Sequence, residues 1–113
     1  MSIAEDLQQV EISIESAKAA ISKRDAIYRL YKNKDFKQVI TQGLFVEDAA
    51  RWVTLKAVPT QYSDENQAGI LRSIDSIGTL QLYLETKVQI ANQMERALEA
   101  DEQTRDELMA EDV

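Results

Sequence analysis

Two stretches of this chain carry apolar residues at alternating steps of three and four, and that rhythm restricts the fold more than any other feature. In the first, Ile3, Leu7, Val10, Ile14, Ala17 and Ile21 recur at the spacing of a coiled-coil seam. The next seam positions are Arg24 and Tyr28, where the strict stripe weakens, and Ile27, Leu30 and Tyr31 supply apolar surface on a neighbouring face. Ile12 lies off the seam and makes the apolar face wider than a two-stranded coil requires, which points to a helix with more than one neighbour. In the second stretch Ile70, Ile74, Ile77, Leu80, Leu84, Val88, Ala91, Met94 and Leu98 keep the same steps, and Leu71, Leu82 and Ile90 broaden the face. The spacing predicts long helices over residues 3–31 and 64–98, roughly 43 and 50 Å in length at 1.5 Å per residue.

Chain breakers are scarce. Glycine occurs only at positions 43, 69 and 78 and proline only at 59, which favours long helices over a turn-rich sheet. Between the long helices, Asn33 or Asp35 can cap a short helix over 35–42, with Phe36, Val39 and Ile40 on one face and Gly43 as a left-handed stop. A second short helix over 46–57 carries Ala49, Trp52, Val53 and Leu55, with Phe45 just before it, and Pro59 closes it. Ser63 is placed to cap the long return helix, with Asp64 and Glu65 in its first turn. Gly78 could permit close approach of the short helices. After Leu98 the apolar rhythm fades, and residues 101–113 read as a frayed acidic tail. The expected fold is all-α: one helical domain over 1–100, built as an elongated hairpin with two short helices near the bend. Separate helices that pack only in an oligomer are the competing arrangement.

Charge is distributed unevenly around the net value of -7. Residues 1–59 hold nine Lys/Arg against eight Asp/Glu, whereas residues 60–113 hold four against twelve. Lys18, Lys23, Arg24, Arg29, Lys32, Lys34 and Lys37 form a basic shoulder, and the stretch from Glu95 to Asp112 is its acidic counterpart. Such a pattern suits electrostatic matching between copies or between two arms of one chain.

Cysteine and histidine are both absent, which removes disulfides, thiol nucleophiles, imidazole bases and the usual zinc, haem and iron–sulfur ligands. No cofactor and no metal is expected. Glycine-rich phosphate loops are missing, and the adjacent acids at 64/65, 101/102 and 106/107 do not converge. The hydroxyl-bearing spots Ser73–Asp75–Ser76 and Thr54–Lys56 have no base to activate them. No apolar run approaches the roughly 20 residues of a membrane span, and the first residues lack an apolar signal-peptide core, so classical secretion is not expected. These exclusions point away from an enzyme and toward a protein that binds other proteins. Ile14, Ile21, Arg24, Tyr28, Tyr31, Trp52, Ile77 and Leu84 are the candidate interface residues: the first and last for their stripes, Arg24 and the tyrosines for the basic-aromatic shoulder, Trp52 as an anchor or as the core of the short helices. Nucleic acid is the weaker partner for that shoulder because the chain as a whole is acidic.

The central run SKRDAIYRLYKNKDFKQVITQGLFVEDAARWVTLKA resembles a group of small, largely uncharacterised helical proteins of tailed bacteriophages that are encoded near virion genes. The matching residues are Arg24, Asp25, Leu30, Asn33, Asp35, Phe36, Lys37, Ile40, Gly43, Phe45, Glu47 and Ala50, about a third of the chain. The resemblance implies a virion structural or assembly protein that binds other virion proteins or copies of itself, located in the virion or the host cytoplasm, and it brings no catalytic residues. A soluble accessory protein that inhibits a host enzyme through a DNA-like acidic surface is the alternative.

Overall fold

The computed structural model describes residues 2–111, and among them the chain is helical with no strand. Helix α1 spans Ile3–Lys32, α2 is a single turn over Lys34–Phe36, a π-helical segment follows over Lys37–Asp48, and α3 spans Ala49–Lys56. A 3₁₀ turn over Pro59–Gln61 leads into α4, Asp64–Glu111. The all-α class expected from the apolar rhythm is what the chain adopts.

Side-chain caps start the helices. The Ser2 hydroxyl accepts from the Glu5 amide at 3.1 Å, Asn33 Oδ1 accepts from the Phe36 amide at 2.9 Å, and the Ser63 hydroxyl accepts from the Asn66 amide at 3.2 Å. Each satisfies one of the amides that a first turn leaves without an intrahelical partner. Of the two cap residues open between α1 and α2, Asn33 is the one used.

Three expectations are corrected here. Gly43 does not stop a helix: no described residue has positive φ, and the backbone stays helical from Lys34 through Lys56, so the expected helices 35–42 and 46–57 are one continuous element. A π turn brings the carbonyl of residue i against residue i+5. A Cβ on Gly43 would lie 2.6 Å from the Gln38 carbonyl oxygen, so glycine is required for that approach rather than for a turn. At Gly78 an added Cβ meets nothing within 4 Å, so no close packing depends on it. The acidic tail is not frayed: α4 continues helically through Glu111, while Asp112 and Val113 lie outside the described residues.

By its internal contacts the chain divides into two compact units. The first joins α1 up to Ala26 with α4 from Thr86 onward, and the second holds everything from Ile27 to Glu85. In the first unit the two helices run antiparallel, because Arg24 meets Glu95 while Glu11, further back in α1, meets Arg105, further on in α4. Ile14, Ala17 and Ala91 are its buried apolar residues. In the second unit Ile27, Ile70, Ile77 and Leu84 are buried. Along α4 the buried residues Ile70, Ile77, Leu84 and Ala91 recur at intervals of seven, the period of helices that supercoil about each other.

The corner between α3 and α4 is closed by side chains on backbone carbonyls. Gln67 Nε2 donates to Gln61 O at 2.7 Å and to Lys56 O at 3.1 Å, and the Tyr62 hydroxyl donates to Ala57 O at 3.0 Å. These carbonyls are the ones that a helix end and a tight turn leave open. Within the second unit the π segment and α3 bury no residue fully, and Val39 and Val53, expected on packed faces, are exposed.

Candidate functional site

Arg24 is the one buried charged residue among those described, 8% exposed at a seam position where the apolar stripe was expected to weaken. Its guanidinium is fully engaged within the first unit. Nη1 donates to Asn92 Oδ1 at 2.9 Å and Glu95 Oε1 at 3.0 Å, Nη2 donates to Glu95 Oε2 at 3.0 Å, and Nε donates to Asp25 Oδ1 at 3.1 Å. The two parallel bonds to Glu95 are the bidentate fork geometry that arginine makes and lysine cannot. The hydrogen bonds it donates to Glu95 hold the arginine more firmly protonated than usual, burial opposes them, and Asp25 adds to the first effect. In return the bond from Arg24 holds the Glu95 carboxyl below the ordinary carboxylate range. Among the described residues no buried side-chain nitrogen or oxygen lacks a partner.

In the second unit Tyr31 and Phe36 stand with ring centroids 6.2 Å apart and tilted by 47°, an ordinary packing geometry for two aromatics. A groove of about 410 Å³ opens beside Tyr31, lined also by Thr41, Phe45 and Val46 of the π segment and by Gln81 and Glu85 of α4. Burial pushes the Tyr31 phenol up, with smaller contributions from the Glu85 carboxylate and Tyr28. The phenol is therefore neutral across the physiological range and works as an amphipathic packing group. A second, open hollow on α4 is bordered by Arg72, Asp75, Ser76, Thr79, Leu80 and Tyr83.

The hydroxyls that might have served as nucleophiles are committed to the helix backbone. Ser73 donates to Gly69 O at 3.1 Å, Ser76 to Arg72 O at 2.8 Å and Thr79 to Asp75 O at 2.7 Å, the back-bonding habit of serine and threonine inside helices. Asp75 is exposed. No group of three His, Cys, Asp or Glu side chains among the described residues could hold a metal ion, and no described helix is long and apolar enough to cross a membrane.

The eight candidate interface residues fall into three sets. Ile14, Ile77 and Leu84 are buried within single units, and Arg24 is buried in its ion-pair network, so these four are covered by the chain itself and are not free to meet a partner. Ile21, Tyr31 and Trp52 are half-buried. Tyr28, at 38%, is exposed, because Ile27 takes the buried position one residue earlier. Ile27, expected on a face beside the seam, is the residue that lies buried there.

Sequence reasoning did not find the two grooves of the first unit. One, about 400 Å³, is lined by Asp6, Gln9, Val10 and Ser13 of α1 with Asp101, Thr104 and Leu108 of α4. The other, about 200 Å³, is lined by Ala19, Ala20 and Lys23 with Lys87 and Ile90. Small residues off the seam were the available signal, visible only once the partner helix was known. Ile12, 55% exposed, and Ile90, 42% exposed, show that the first unit has apolar surface left over after its seam is closed.

Comparison of the chain with family models, with curated proteins and with solved structures returns no match. The surface itself therefore carries the functional reading.

Proposed function

We propose that this chain is a structural or assembly protein that acts by binding other proteins, in the setting the bacteriophage resemblance implies: a virion component or assembly factor. One observation carries the binding reading. Among the described residues fourteen large apolar or aromatic side chains remain exposed, against seven apolar side chains that are buried. Scattered exposed apolar residues are normal on any protein. Here they outnumber the core and border open grooves, which favours a surface that a partner covers. The partner meets the leftover faces of the helices, not the stripes of Ile14, Ile77 and Leu84 that close the fold.

The test is quantitative mass spectrometry of purified particles from cells that express the chain. A fixed ratio of this protein to the other particle proteins supports the proposal. Its absence from washed particles counts against a virion role and leaves assembly to be checked in particle yield.

The accessory reading keeps one supporting observation. The acidic residues 99–111 are carried on an ordered helix, so their charges are held in a fixed array. An array of that kind can compete for a basic groove. Binding of this chain to a nucleic-acid enzyme that collapses in moderate salt, together with absence from particles, would favour it.

A further inference from the structure

We propose that the grooved face of the first unit docks, antiparallel, onto the same face of a second copy of this chain. The inference rests on the protein-binding reading and names its partner.

The two grooves lie on one face. Asp6, Ser13 and Ala20 are seven residues apart, as are Asp101 and Leu108, while Gln9 and Lys23, Lys87 and Asp101, and Ile90 and Thr104 are each separated by fourteen. In helices that wind about each other, residues separated by sevens share a side. Between the grooves the same positions of α4 hold Met94 and Ala97, and the small side chains Ser13 and Ala20 line the grooves on α1. A face of this kind admits close approach of another helix pair, with Ile90 as the apolar projection.

Charge names the occupant. At one end of the face stand Asp6 and Asp101, and at the other stand Lys23 and Lys87. A surface whose charge inverts from end to end is complementary to itself under a two-fold rotation. With the axis crossing both helices, Asp6 comes opposite Lys23 of the second copy, and Lys23 comes opposite Asp6 of the second copy. A parallel arrangement would set like charges together at both ends.

Size sets the strength. The distance from Asp6 to Lys23 along α1 is about 25 Å, and two helices are about 20 Å wide, so each copy contributes a footprint of about 500 Å². The total is near 1,000 Å², the lower limit for a specific interface, which suits a reversible dimer.

Sedimentation equilibrium of the full chain from about 1 μM to 1 mM tests this. The expected mass rises from 12.8 kDa to twice that value over the range. Lys23→Glu and Asp6→Lys should each weaken association at least about tenfold, because two symmetric attractions become repulsions. The double variant Lys23→Glu/Asp6→Lys should restore the wild-type constant. Ala20→Glu should abolish the dimer, and circular dichroism of each variant checks that the helices persist. A wild-type mass that stays at 12.8 kDa, or a dimer indifferent to Lys23→Glu, overturns the proposal. A monomer that is nonetheless present in particles at fixed ratio overturns self-docking alone, whereas a monomer absent from particles overturns the virion reading as well.

Discussion

The two units of this protein solve the same packing problem with opposite means. The first is two helices and strongly acidic: it holds six Lys/Arg against thirteen Asp/Glu. The second has several elements and is electrically balanced, with seven of each. Two helices have one seam, so the first unit buries little, and its most enclosed polar residue, Arg24, is held by a hydrogen-bond network in place of apolar packing. The second unit has the π segment and α3 beside its long helices and buries four isoleucine and leucine side chains. The lesson is that a continuous apolar stripe along α4 serves two different environments, and that neighbours, not the stripe, set how much each position contributes.

The sharpest way to break that comparison is to put a charge into each seam. Ile77→Asp should cost about 3–5 kcal/mol, because the carboxylate has no partner in the second unit. Ile14→Asp should cost less, since a two-helix seam can open and let water reach the new charge. Thermal melts followed by circular dichroism check this, and equal losses at the two sites would mean that the units are enclosed to the same degree.

Glycine replacements come next. Gly43→Ala should destabilise by about 1–3 kcal/mol, since a Cβ would press on the Gln38 carbonyl within the π segment. Gly78→Ala should stabilise by about 0.5–1 kcal/mol, since it adds helix propensity in open space. Opposite signs in urea melts are the expected result. A stabilising Gly43→Ala would show that the segment relaxes to an ordinary α-helix at no cost.

The smallest effect concerns pH in the first unit. Arg24 lowers the Glu95 carboxyl from its ordinary 4.5, so the native state holds that proton less tightly than the unfolded chain does. The stabilisation is therefore complete above 4.5 and is lost as pH falls through the lower folded value. The melting-temperature gap between wild type and Glu95→Gln should be constant from neutral pH to about 5 and close on further acidification. A gap that persists at pH 2 would show that the pair works through shape rather than charge. Truncation after Glu99 sharpens the same picture. The fading apolar rhythm marked this stretch as a frayed tail, but Arg105 reaches Glu11 at 3.9 Å and Leu108 is half-buried, so its removal should fray the start of α1.

What the sequence alone determined is the helical class, the two long helices, and the cap at Ser63. These depend on residues within a few positions of one another, where periodicity and cap chemistry act directly. The candidate surface was legible only in part: Ile12 stood out as off-seam and Ile90 as broadening its stripe, whereas the grooved face that Ile90 lines did not stand out. Only the tertiary structure decided that Ile14, Ile77 and Leu84 are spent inside the chain, that Arg24 finds Asn92 and Glu95 some seventy residues away, and that Gly43 relieves a π turn instead of ending a helix. The reason is physical. A stripe declares that a face must be dry, but which surface dries it is set by approach between distant segments, and loop-closure and packing energies hold that information where no local pattern records it.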